Sequence, residues 1–143
     1  MTTLRHVGIT VTSIEKSLKF YKDLLGFEVI SDEWEHGDYI DNFSSLKGIM
    51  TRIVKMRDSN GGMVELLCYK SHPREADLNY KIVEIGCSHV AFTVDDVDGI
   101  YEKLKEEEIH FECAPQLGPG AFAKVAFCRD PSGVLVELVE QLK

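Results

Sequence analysis

The sequence is short of the features that mark membrane, secreted or nucleic-acid-binding proteins. It has no long apolar run: the longest uncharged stretch, Cys113 to Ala123, is broken by Pro115, Gly118, Pro119 and Gly120, whereas a spanning helix needs about 20 apolar residues. Basic charge is scarce. Sixteen Lys and Arg stand against 24 Asp and Glu, a formal net charge of −8. No basic field exists to neutralise a nucleic-acid backbone or an anionic lipid surface, although a single local cation can still hold an anionic small molecule. Met1 to His6 has no apolar stretch of the kind that opens a secretory signal. The four cysteines, Cys68, Cys87, Cys113 and Cys128, form no C-x-x-C pair. A chain of about 150 residues buries roughly 68% of its unfolded surface and needs no disulfide staple. These features predict free thiols and a reducing, cytoplasmic setting. No G-x-G-x-x-G or P-loop is present.

The sequence does contain an internal repeat. His6-Val7-Gly8-Ile9-Thr10-Val11 returns as His89-Val90-Ala91-Phe92-Thr93-Val94, 83 positions later. Arg57-Asp58 through Val64-Glu65-Leu66 returns as Arg129-Asp130 through Val136-Glu137-Leu138, 72 positions later. The blocks keep their order, and the first half carries 11 extra residues, which fall within the polar, aromatic stretch Asp32 to Gly48. Short β-branched runs predict strands over 6–11, 27–31, 49–56 and 63–69, then over 89–94, 110–114, 122–128 and 134–140. Between the first two strands of each half lies a helical pattern: Ile14, Leu18, Tyr21 and Leu25, then Val97, Tyr101 and Leu104. Thr12 with Glu15 is the predicted cap of the first helix, Gly26 its end, and Asp95 or Asp96 the cap of the second. Each half reads β-α-β-β-β. The predicted organisation is one domain, 1–143, with a first module over about 1–71, a linker over about 72–80 and a second module over about 81–143.

In each half the conspicuous polar residue of the first strand is a histidine and that of the last strand a glutamate. Strand side chains alternate between faces. His6, Gly8 and Thr10 therefore share a face, as do His89, Ala91 and Thr93; Met63, Glu65 and Leu67 share another, as do Leu135, Glu137 and Val139. Flanked by Val64 and Leu66, or by Val136 and Leu138, these glutamates are expected to be well buried. A buried carboxylate must find a cation or a proton. Singly, such a His or Glu is more often a core or rim residue; the repetition makes them a set. A rough two-fold would gather His6, Glu65, His89 and Glu137, two neutral imidazoles and two carboxylates, around one divalent cation. Four such donors leave two octahedral positions open, which suits Ni, Co, Mn or Fe, or Zn with expanded coordination.

The remaining candidates carry less. His36, His72 and His110 lack repeat partners and read as surface or loop residues. Arg52 and Lys124 lie on strand-like runs, either as anion contacts or as solvated strand-edge residues. Arg57 and Arg129, beside Asp58 and Asp130, read as structural ion pairs at hairpins. Trp34, Tyr39 and Phe43 lie in the inserted stretch and read as a lid or dimer contact, and Gly118-Pro119-Gly120 as a turn at the mouth of the second module.

The motifs H-V-G-I-T-V, S-L-K-F-Y-K-D-L-L-G-F, G-G-M-V-E-L-L, S-H-V-A-F-T-V-D-D-V and D-P-S-G-V-L-V-E-L-V-E resemble the vicinal oxygen chelate superfamily, the glyoxalase/bleomycin-resistance/dioxygenase group. The resemblance implies an α+β fold of tandem βαβββ modules forming an eight-stranded cup around one divalent metal, frequently in a homodimer. Its ligand set, mapped onto His6, Glu65, His89 and Glu137, is similar to that of bacterial glyoxalase I and of methylmalonyl-CoA epimerase-like proteins. It implies a lyase or isomerase that moves a proton through an enediolate on a small α-oxo or α-hydroxy carbonyl or thioester, with Glu137 and Glu65 as the proton-moving residues. Glyoxalase I commonly contacts glutathione through an Arg four residues after the first His and an Asn four after the first Glu; here Thr10 and Tyr69 stand there as substrate contacts. Two other branches stay open. An extradiol-type dioxygenase would use His6, His89 and Glu137, and a resistance protein would bind a small molecule without turnover.

Overall fold

The computed structural model describes residues 1–143 and resolves them into two units, Met1–Ala76 and Asp77–Lys143. In the first, β1 (Val7–Thr10) leads into α1 (Ile14–Leu18), which widens into π-helical turns over Lys19–Leu24. Then come β2 (Glu28–His36), α2 (Asp38–Ser44), β3 (Met50–Arg57) and β4 (Met63–Tyr69). The sheet order is β1-β4-β3-β2, with β1 parallel to β4 and the other pairs antiparallel. The second unit repeats the plan: β5 (Val90–Thr93), α3 (Val97–Glu106), β6 (Gln116–Leu117), β7 (Ala123–Arg129) and β8 (Leu135–Gln141), ordered β5-β8-β7-β6 with β5 parallel to β8. The α+β fold of paired βαβββ modules is as the sequence predicts. No helix is long and apolar enough to cross a membrane.

One face of each sheet is the core. Ile9, Val54, Met56, Val64 and Leu66 are buried in the first unit together with Ile14, Phe20 and Tyr21 of the helix. Ala126, Cys128, Val136 and Leu138 are buried in the second, with Val97 and Leu104 of α3. The π-helical turns explain how two consecutive aromatics are both buried. Leu25 N–H donates to the Phe20 carbonyl, five residues back, at 3.0 Å, and the wider turn lets Phe20 and Tyr21 pack edge to face at 4.8 Å. Leu18 and Leu25, predicted on the buried stripe, are only half-buried. Gly26, at φ 87°, takes the left-handed conformation that ends the helix.

Three local expectations are corrected. Ser13, not Thr12, caps α1: its backbone is extended and its Oγ accepts from Lys16 N–H at 3.3 Å. Asp96 caps α3 in the same way, accepting from Gly99 N–H at 2.9 Å, and the two caps stand 83 positions apart. The strand predicted over 110–114 is broken. Phe111 makes one bridge to Cys128, and pairing resumes only at Gln116, past Pro115, which has no N–H to give a ladder. Finally, Arg57 and Arg129 pair not with the adjacent aspartates but with Glu28 and Glu112. Asp58 instead accepts from Asn60 and Gly62 N–H, and Asp130 from Ser132 and Val134 N–H, so each organises its own turn.

The two arginines, equivalent by repeat, differ in burial. Arg129 is 3% exposed and donates to Glu112, to the Gly133 carbonyl at 3.0 Å and to the Tyr80 carbonyl at 2.6 Å. Arg57 is 51% exposed and holds only Glu28. Arg129→Ala strands two carbonyls and should cost about 3 kcal/mol of unfolding free energy. Arg57→Ala should change it by less than about 1 kcal/mol. Urea denaturation of both variants checks the contrast; equal effects would refute it.

Candidate functional site

The parallel pairing of first and last strand places the candidate ligands. In the first unit Gly8 lies in register with Glu65, and in the second Ala91 with Glu137. A neighbour with little or no side chain leaves the carboxylate room to turn towards the histidine two residues before it. A Cβ on Gly8 would meet Leu67 Cδ1 at 3.4 Å, an ordinary van der Waals contact. His6 Nε2 lies 3.8 Å from Glu65 Oε2, and His89 Nε2 lies 3.1 Å from Glu137 Oε2. The carboxylate side chains are 13% and 21% exposed, more sheltered than a surface pair yet not sealed. The Ser88 hydroxyl lies 2.7 Å from His89 Nδ1 and fixes the ring so that Nε2 faces the glutamate.

Each unit thus brings its own His and Glu together, and no group of three or more His, Cys, Asp or Glu close enough to hold a metal ion occurs. As halves of a donor set the pairs fit a divalent cation. Donors about 2.1 Å from one ion sit about 3 Å apart, and the N···O separations of 3.1 and 3.8 Å are close to that spacing.

The halves differ in their third strand. The cross-strand partner of Glu65 is Lys55, an exposed lysine with no ion pair, whereas that of Glu137 is Phe127, whose ring meets His89 edge-on at 5.4 Å. Sequence reasoning missed Lys55, Phe127 and Ser88. Lys55 and Phe127 stand 72 positions apart, so the repeat offset could have flagged the first two.

Of the predicted substrate contacts, Thr10, Arg52 and Tyr69 border one cavity of about 360 Å³ in the first unit; Lys124 does not. Arg52 is committed. It grips Asp32 through Nε and Nη2 at 2.9 and 2.7 Å and Glu15 through Nη1 at 2.8 Å, which raises its own pKa. Lys124 is likewise committed to Asp98. Arg52 and Lys124 are repeat equivalents, and so are Glu15 and Asp98, so each cation ties its strand to the helix start in the same way. The hydrogen bonds from Arg52 hold the Asp32 carboxyl below the ordinary carboxylate range. Burial, and then the charges of Glu65 and Glu35, push the Tyr69 phenol up.

The sequence model of the Glyoxalase/Bleomycin resistance protein/Dioxygenase superfamily matches residues 3–138, and the chain belongs to that superfamily. It is 29% identical over 147 residues to a lactoylglutathione lyase of Schizosaccharomyces pombe, covering 96% of this chain but 47% of that protein, so it spans about half the yeast protein's length. It is 26% identical to a lactoylglutathione lyase of Pseudomonas putida, covering 94% of this chain and 83% of that one. A glyoxalase family protein from Bacillus cereus shares the fold at a TM-score of 0.88 and 20% identity, covering 100% of this chain and 96% of its own.

The Arg52 cluster makes a pH prediction. Asp32 titrates below its unfolded value in the folded chain. Its contribution to stability is therefore complete above the unfolded pKa of about 3.9 and is lost as pH falls through the folded one. In Arg52→Met, carboxyl NMR should show Asp32 titrating closer to the unfolded value, and acid unfolding should begin at higher pH. An unchanged Asp32 titration would remove Arg52 as the cause.

Proposed function

We propose that the protein is a metal-dependent lyase or isomerase of the glyoxalase I type, acting on a small α-oxo or α-hydroxy carbonyl or thioester compound. His6, Glu65, His89 and Glu137 would bind one divalent ion, and the protein would form a homodimer. The observation that carries this reading is the repetition itself: His6–Glu65 and His89–Glu137 occupy equivalent, same-face positions in both halves. The similarity to lactoylglutathione lyases across nearly the whole chain supports it.

The residues that would hold the ion are His6, Glu65, His89 and Glu137. When bound, a divalent ion supplies Lewis acidity that weakens a C–H bond beside a carbonyl. The difference between the halves divides the work between the glutamates. Glu65 lies across from Lys55 on the neighbouring strand, a polar, solvent-facing position. Glu137 faces Phe127, an apolar wall against which a substrate carbon can lie. Glu137 is therefore the residue that takes the proton from carbon and returns it to the neighbouring carbon or the opposite face. Thr10 and Tyr69, standing where the relatives' glutathione contacts are implied, argue for a thiol carrier bound differently or not at all.

One observation favours a second reading. Glu65 lies 3.8 Å from His6, a looser pairing than the 3.1 Å between Glu137 and His89. Glu65 would then be surplus, leaving the two-histidine, one-carboxylate set of an extradiol-type dioxygenase. Oxygen uptake with a catechol would select this reading.

Elemental analysis of the purified protein should find about one divalent metal per chain. In deuterated water, hemithioacetal or thioester substrates should exchange their acidic proton. Glu137→Gln should keep the fold and lose at least about 100-fold in turnover, with a smaller loss of metal. Full activity in that variant would end the assignment of the base.

A further inference from the structure

The cavity of about 360 Å³ in the first unit lies largely on the other side of the sheet from the His6–Glu65 pair. The register makes this plain. Trp34, Arg52 and Cys68 are successive cross-strand partners on β2, β3 and β4. They alternate with Ile53, Leu67 and Tyr69, which share the face of Glu65. Ile14 and Glu15 of α1 close the cavity on that helix side, with Thr10 and Tyr69 at its border. Its size is within the range of small-molecule sites, roughly 300–1,000 Å³.

Its charges point to a class of ligand. Arg52 is saturated by Asp32 and Glu15. Lys70 and Arg74, which also line the cavity, meet no carboxylate in a chain of net charge −8. Lys70 Nζ lies over the Trp34 ring, 6.0 Å from its centroid, and Arg74 donates to the carbonyls of His72 and Pro73 beside it. Trp34 itself is 52% exposed, a large apolar surface left open at a concave site. It comes from the stretch that the first module has and the second lacks, so the repeat does not explain it. We propose that this cavity is a second small-molecule site, which takes a planar organic anion. The apolar body lies against Trp34 and the carboxylate or phosphate is held by Lys70 and Arg74. The inference does not depend on the metal reading, because none of these residues belongs to the His–Glu pairs.

Trp34 is the only tryptophan in the chain and reports its own site. The full chain is titrated with phenyl phosphate and with benzoate, following tryptophan fluorescence, with benzyl alcohol as the neutral control. A saturable change with at least one anion, and none with the alcohol, is expected; which anion binds more tightly identifies the acid group. Lys70→Gln combined with Arg74→Gln should weaken binding at least tenfold, with far-UV circular dichroism unchanged. Glu65→Gln should bind as the wild type does. No saturable response in the wild type, an unchanged affinity in the double variant, or loss of binding in Glu65→Gln would each overturn the proposal, the last by moving the ligand to the other face.

Discussion

The arrangement of each module rests on the parallel pairing of its first strand with its last. Parallel strands need a crossover, and here the crossover carries a helix and two further strands, so residues 57 positions apart in one half and 46 in the other become lateral neighbours. Once Gly8 is fixed beside Glu65, and Ala91 beside Glu137, pleating determines the rest. The histidine two residues upstream faces the same way as the carboxylate, while Ile9, Val64 and Leu66 turn to the helix. A slip of one residue would turn the carboxylate into the core and the aliphatic residues out. The apolar face therefore sets the register, and the polar site inherits it.

Duplication supplies a control that most single domains lack. Where the halves agree, the shared feature belongs to the architecture: the caps Ser13 and Asp96, the ties Arg52–Glu15 and Lys124–Asp98, and the turn-forming Asp58 and Asp130. Where they differ, the difference points to use. Lys55 against Phe127, beside otherwise matching His–Glu pairs, makes the two carboxylates inequivalent. Trp34 on the extended β2 has no counterpart in the second sheet, whose outermost strand, Gln116–Leu117, is two residues long.

Much of this was legible before the fold was known, because alternation and repetition are one-dimensional signals. The succession of strands along the chain, the helix after each first strand, and the facing of His6 with Thr10 and Glu65 with Leu67 all follow from them. Three things did not. Ser13 and Thr12 are equivalent as letters, and only the backbone at the cap decides between them. The break around Pro115 depends on a strand at the sheet's edge, which sequence does not label as an edge. The partners of Arg57 and Arg129 lie 29 and 17 positions away, across strands, so proximity in sequence favoured the wrong acids.

The chemistry of the site turns on a limit that the geometry makes explicit. A neutral imidazole and one carboxylate supply a single negative charge, which leaves a dication half balanced. Two donors also hold a divalent ion weakly, since most of its shell stays in water. Two such pairs on one ion would differ in kind, because their two negative charges would balance a dication and fill four of its positions. A module that had lost its partner would keep the 3.1 Å contact between His89 and Glu137 and still have little reason to bind metal. The doubling of the module, more than any residue in it, is what makes a metal centre chemically reasonable.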